Sequence, residues 1–136
     1  MNEANIPRPK VTKLNFTYKR DDTDLWVLNT DDLPIRKDLI KDQQIIQFAP
    51  KSFGGNHSHQ RIEWFIGIGD LTLIWVDQNG KKHTQNMSSK ENVLLFEIPP
   101  HLPHAVLNNS ETDIAVLFEF ADQKMSNTKQ VEIITN

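Results

Sequence analysis

The sequence predicts an all-β fold made of many short strands. Three observations carry that expectation. Apolar, β-branched and aromatic residues gather in short runs at close spacing, as in a sandwich or barrel. Pro, Gly, Asn and Asp punctuate those runs. No segment of ten or more residues keeps a clean 3.6-residue period, so no long helix is expected. With 136 residues the chain has the size of one domain, large enough to bury a core without staples. The formal net charge is -3 and no basic face is visible, which argues against a nucleic-acid partner. The apolar runs fall far short of a membrane span, and residues 1–7 lack the basic-then-apolar pattern of a secretory signal. A cytoplasmic location is the resulting expectation. The absence of cysteine excludes disulfides, thiolate zinc sites and cysteine nucleophiles.

Residues 1–10 hold two prolines and little periodicity, and read as an arm. Residues 11–18 alternate, with Val11, Leu14, Phe16 and Tyr18 among threonines and lysines, so most of this stretch reads as a strand. Residues 25–28 form a second apolar run. Asp31-Asp32-Leu33-Pro34 is a turn, because Pro34 disfavours helix at Leu33. Residues 37–43 hold at most one helical turn. Residues 44–49 are a third strand, closed by Pro50. Further on, 62–66 is a strand, 67–70 a turn, and 71–76 a buried strand rich in β-branched and aromatic residues. Asp77-Gln78-Asn79-Gly80 gives the clearest hairpin signal, since Asn-Gly suits a type I′ turn. Residues 81–87 return as a polar strand and 88–92 form a loop. Pro99-Pro100 stops a strand over 93–98; 104–108 begins another, 109–113 turns, and 114–120 is the last strong strand. The tail is polar until 131–134, which reads equally as a late strand or a loose end. The organisation expected is an N-terminal arm and strands over 1–42 that complete the barrel or a dimer interface, a core over 43–121, and a tail over 122–136.

The chemistry concentrates in Gly54-Gly55-Asn56-His57-Ser58-His59-Gln60-Arg61-Ile62-Glu63. On a strand His57 and His59 share a face. Gln60 to Ile62 suffices to turn a corner, which lets Glu63 return to the same point. Two imidazoles and a carboxylate make an incomplete metal site. Gly54 and Gly55 allow a close backbone approach just before it. About 40 residues on, Ile98-Pro99-Pro100-His101-Leu102-Pro103-His104 stiffens the approach to another strand, and His104 is the candidate for the missing ligand. Four of the five histidines fall in these two clusters. A hydrogen-bonded polar cluster without metal explains the three histidines as well, and an ion pair with Arg61 or a lysine explains Glu63. His101 is either an acid or base at the pocket mouth or an exposed loop residue. Gln47 either faces the cavity or lies at an edge. His83, on a polar strand, is expected to be solvated. Asn108 is expected to cap or pair backbone. Trp64, Phe65, Trp75, Phe118 and Phe120 are core or pocket wall.

Over residues 43–121 the two clusters resemble the paired motifs of the cupin superfamily. The first family motif, Gly, His-x-His, three or four residues, Glu, then Gly, reads here as Gly54 or Gly55, His57-Ser58-His59, Glu63 and Gly69. The second, Pro-x-Gly-x-x-His-x-x-x-Asn, reads as Pro99 through His104 and on to Asn108. The chain departs at turn positions: His101 stands in place of the second motif's glycine, Lys51 in the usual place of the first motif's leading glycine, and Ser89-Lys90-Glu91-Asn92 lacks the second motif's leading glycine. The resemblance implies a single-domain double-stranded β-helix, or jelly-roll barrel. It also implies one divalent ion (Fe, Mn, Ni, Co, Cu or Zn) held by His57, His59, Glu63 and His104, and pairing as a homodimer. Gly55 to His59 followed by Glu63-Trp64-Phe65 is similar to small cupins associated with sugar-nucleotide and polysaccharide synthesis. Metal-free sugar epimerases of this fold use a His paired with Asp and a Tyr; the lone tyrosine here, Tyr18, lies outside the motifs. The expected function is a metal-dependent isomerase, epimerase or dioxygenase acting on a sugar derivative or a carbonyl or hydroxy acid. The alternative is a binding module that holds such a molecule without turnover.

Overall fold

The computed structural model describes residues 7–87, 92–125 and 128–134. Two five-stranded sheets face each other, with a small hairpin beside them. The strands are β1 (Lys10–Leu14), β2 (Tyr18–Arg20), β3 (Leu25–Val27), β4 (Asp42–Phe48), β5 (Phe53–His59), β6 (Glu63–Ile68), β7 (Leu71–Val76), β8 (Lys82–Asn86), β9 (Val93–Ile98), β10 (His104–Asn108), β11 (Ala115–Ala121) and β12 (Thr128–Gln130). One sheet runs β1-β9-β6-β11-β4, the other β12-β5-β10-β7-β8, and β2 pairs with β3. All of these pairings are antiparallel. Successive strands from β4 to β11 cross repeatedly between the sheets, which is the double-stranded β-helix expected.

The period-2 alternation of the strands builds two cores. Along β6, Phe65 faces between the sheets, where Leu73, Phe96, Ile98, Val106 and Leu117 meet it. Trp64 and Ile66 face outwards, under a cover that includes Leu14, Trp26, Leu33 and Ile40. The N-terminal third thus shields the outer face of the first sheet, and β1 extends that sheet by pairing with β9. Each buried Phe or Leu contributes about 1.5–3 kcal/mol relative to exposure.

Several expected elements shift. The strand over 11–18 ends at Leu14, because the chain leaves the sheet and Phe16 stacks on Trp26 with ring centroids 5.0 Å apart. The turns near 31 and 37 are single 3-10 turns, Thr30–Asp32 and Lys37–Leu39. Gly67 and Ile68 continue β6 by pairing with β11, which confines the turn to Gly69-Asp70. At the hairpin after β7 only Gly80 takes positive φ (82°); Asn79 does not, so the turn is not type I′. Asp77 Oδ1 accepts from the N–H groups of Asn79 and Lys81 and fixes a different turn. The late strand is β12, not 131–134. Of the loop expected over 88–92, residues 88–91 lie outside the described residues, as do 1–6 of the arm and 126–127 and 135–136 of the tail.

Candidate metal centre

β5 and β10 lie side by side in the second sheet and supply all three imidazoles. In their register His104 sits opposite His57, and then the pairing slips by one residue so that Ala105 sits opposite Gly55. Asn56 is the extra residue of this bulge, with φ 58°, and Gly55 has φ 102°. A Cβ on Gly55 would lie 2.8 Å from both Ala105 Cα and His104 O, so glycine is required where the two strands meet. Beyond the bulge His57 and His59 share the inner face. Glu63, the first residue of β6, projects from the facing sheet after a short corner.

One ring nitrogen from each of His57, His59 and His104 lies within 4.8 Å of the other two. That mutual distance does not take in Glu63, whose Oε1 approaches two of the three: 3.0 Å from His104 Nε2 and 3.5 Å from His59 Nε2. Glu63 is 0% exposed, and His59 and His104 are buried. His104 Nδ1 lies 2.9 Å from the Leu102 carbonyl oxygen, which can only accept, so Nδ1 carries a proton and Nε2 is the ring nitrogen turned towards Glu63. Lone pairs at 3.0 Å require a proton or a cation between them. Glu63 Oε1 and His59 Nε2 are both buried without a hydrogen-bond partner. Donors ~2.1 Å from one ion stand about 3.0 Å apart when adjacent, so these spacings suit a metal. Burial lowers the basicity of His57, and burial likewise brings His59 down to about 4, so both rings are neutral near pH 7, the form that ligates. The donor set fits a divalent ion.

The other carboxylate oxygen of Glu63 is spoken for. Arg61 donates to Oε2 from Nε at 3.0 Å and from a terminal nitrogen at 2.8 Å. Its remaining terminal nitrogen donates to Asp42 Oδ2 (2.9 Å) and the Gln123 carbonyl (3.0 Å). Arg61 also lies 3.7 Å from Glu119 Oε1. Glu63 thus makes the ion pair with Arg61, and its other oxygen faces the imidazoles. The guanidinium fixes the carboxylate as second partners fix metal ligands. Burial, then the hydrogen bond that Glu119 donates to Glu63 and the charge of Glu63, push the Glu119 carboxyl up to about 8, so it holds its proton at neutral pH. Burial pushes Glu63 upwards as well, but His104 and the Glu119 hydrogen bond outweigh it and hold Glu63 down to about 2.

A cavity of about 130 Å³ adjoins the histidines, between the β4–β11 wall and the β5–β10 wall. Gln44, Phe48, His57, Phe65 and Glu119 are among its lining residues. Gln47 is not: it is exposed on the opposite face of β4, which is an edge strand, while Gln44, Ile46 and Phe48 face inwards. His101 is exposed in the loop before β10 and does not line this cavity. Its φ is 70°, and that of Lys51 is 62°, so both departures from the glycine pattern take the conformation that glycine favours. Tyr18, 53% exposed on the hairpin, is also absent from the cavity wall. His83 is half-buried rather than solvated: it stacks on Trp75 with centroids 5.1 Å apart and lies 2.8 Å from Asp77 Oδ2. Asn108 does bind backbone, donating to the carbonyls of Phe48, Ala49 and Asp113. Sequence reasoning missed Glu119, Gln44 and Asp42, and gave Arg61 no role beyond pairing.

Family models give no match to this sequence, and neither do curated proteins. Solved structures do. A dTDP sugar isomerase from Desulfovibrio desulfuricans G20 superposes with a TM-score of 0.72 at 10% identity, covering 93% of this chain and 85% of that one. WlaRA, a TDP-fucose-3,4-ketoisomerase from Campylobacter jejuni, matches with a TM-score of 0.59 at 18% identity over 87% and 84% of the two chains. The capsular polysaccharide assembling protein CapF from Staphylococcus aureus matches with a TM-score of 0.59 at 18% identity over 67% of this chain. The chain spans only 27% of CapF. At these identities the likeness is one of fold.

Proposed function

We propose that this chain, which has the cupin fold, binds one divalent metal ion through His57, His59, His104 and Glu63 and acts on a small polar metabolite. The reaction type proposed is a sugar-type isomerisation or epimerisation. The observation that carries the metal reading is the convergence of three imidazoles with an unpartnered, buried Glu63 Oε1. The named activities of the structural neighbours support the reaction type. A bound ion would supply Lewis acidity towards a carbonyl or hydroxyl oxygen, or dioxygen activation if it were iron or copper. The chain's own residues would do the rest. Arg61 holds Glu63 in place, Leu102 O fixes the His104 tautomer, and Phe65, packed edge-on against His104 at 5.6 Å, keeps water from that side. Pairing as a homodimer belongs to the same proposal, although β1 and β12 already pair within one chain. No helix among the described residues is long and apolar enough to cross a membrane.

The test is elemental analysis of freshly purified protein, with light scattering on the same sample for the dimer. One equivalent of metal in the wild type, and its loss in His57→Ala and His104→Ala, is expected. A wild type without stoichiometric metal under any metal supply overturns the reading. Ligand binding without turnover by the loaded protein would establish the binding-module alternative.

A further inference from the structure

The cavity beside the histidines constrains what can enter it. Its 130 Å³ is well below the ~300–1,000 Å³ of sites for larger ligands. One wall is apolar, with Ile46, Phe48, Phe65, Val106 and Leu117. The polar groups lie on the neighbouring strands β4 and β11, where Gln44 and Glu119 sit directly opposite each other in register. The Gln44 side chain makes no hydrogen bond among the described residues, so its amide is available to a molecule in the cavity it lines. Glu119 is buried and aims its carboxyl into the cavity beside the Glu63 carboxylate.

Among the described residues, no Lys or Arg lines the cavity. Arg61 is committed to Glu63 and Asp42, and Lys124, 78% exposed, lies 3.7 Å from Asp42 Oδ1. A diphosphate would find no unmatched cation among those lining residues.

We infer that the cavity takes a compact hydroxycarbonyl or polyol metabolite of about three or four carbons, with Gln44 and Glu119 selecting its oxygens, and not a nucleoside-diphosphate sugar. This rests on the small-metabolite reading above and narrows it against the substrates named for the structural neighbours.

Titration calorimetry on the full chain as purified, with its metal content measured in parallel, tests the inference with a size series: dihydroxyacetone, erythrulose, glucose and dTDP-glucose. Binding of the two small ketoses at least tenfold tighter than that of glucose or dTDP-glucose is expected. Gln44→Ala and Glu119→Gln should each weaken ketose binding about fivefold while leaving metal content unchanged. Equal or tighter binding of dTDP-glucose, no binding of any compact probe, or ketose affinity unmoved in both variants would overturn it. The parallel metal measurement separates this failure from that of the metal reading: a metal-free protein that still binds ketoses loses only the latter.

Discussion

Arg61 carries more of the site than its place in the sequence suggests. Its guanidinium is buried against Glu63, Asp42 and the Gln123 carbonyl, and it reaches towards Glu119. Removing one member of such a buried set leaves the others charged and unpaired, which costs about 3–5 kcal/mol. Arg61→Met is expected to lose that much in urea unfolding, and Arg61→Lys most of it, because an ammonium cannot serve Glu63 and Asp42 in the same fork. A loss under 1 kcal/mol for either variant would show that the network is not structural. His101 makes the opposite case. It is exposed, with φ 70°, and its backbone N–H donates to His59 O at 2.6 Å. Glycine keeps that hydrogen bond and relieves the left-handed strain, so His101→Gly should stabilise the fold by about 0.5–1 kcal/mol in the same assay. Destabilisation would mean that the imidazole makes a contact worth more than the strain.

Strand β5 shows which features the sequence displays and which it hides. Strand periodicity alone places His57 and His59 on one face, and the prolines before His104 mark the start of β10. The bulge at Gly55 and Asn56 is not visible in that pattern, because a slipped register leaves no trace in hydrophobic alternation. The same blindness to register explains the choice of Gln47, when the inward residues of β4 are Gln44, Ile46 and Phe48. Glu119 did leave a signal: it is a lone acid within the apolar run Leu117-Phe118-Glu119-Phe120, where a charge needs a buried partner. Asn56 joins β5 to the tail. Its backbone carbonyl accepts from Val131, and its side chain both donates to Ile134 O and accepts from Ile134 N. Asn56→Ala loses the side-chain pair and strains the left-handed backbone, whereas Asn56→Gly loses only the pair. Thermal unfolding should place alanine about 1 kcal/mol below glycine, with both below wild type. Equal stabilities for all three would mean that neither the tail clasp nor the bulge constrains β5.

For the molecule as a whole, the buried charges predict how stability follows pH once a chelator has removed any metal. Three groups set the profile. Glu119 is raised from 4.5 to about 8, so the folded chain holds a proton that the unfolded chain has released. That contribution is complete below pH 4.5 and is lost as pH rises towards 8. His59 is depressed from 6.5 to about 4, so its contribution is complete above pH 6.5 and is lost as pH falls towards 4. Glu63, depressed from 4.5 to about 2, adds a further loss below 4.5. Between 4.5 and 6.5 the slopes of Glu119 and His59 oppose each other, and the lowered basicity of His57 tips the balance gently upwards with pH. From 6.5 to 8 only Glu119 acts, and stability should fall by about 2 kcal/mol, one pH unit being worth ~1.4 kcal/mol per proton. Chelator-treated protein is thus expected to unfold at the highest urea concentration near pH 6. Glu119→Gln removes the ionisable group but keeps a hydrogen bond towards Glu63, so its profile should climb to pH 6.5 and then stay level. A wild-type midpoint that is flat or rising from pH 6.5 to 8, or an unchanged alkaline fall in Glu119→Gln, would show that the proton is not held at Glu119.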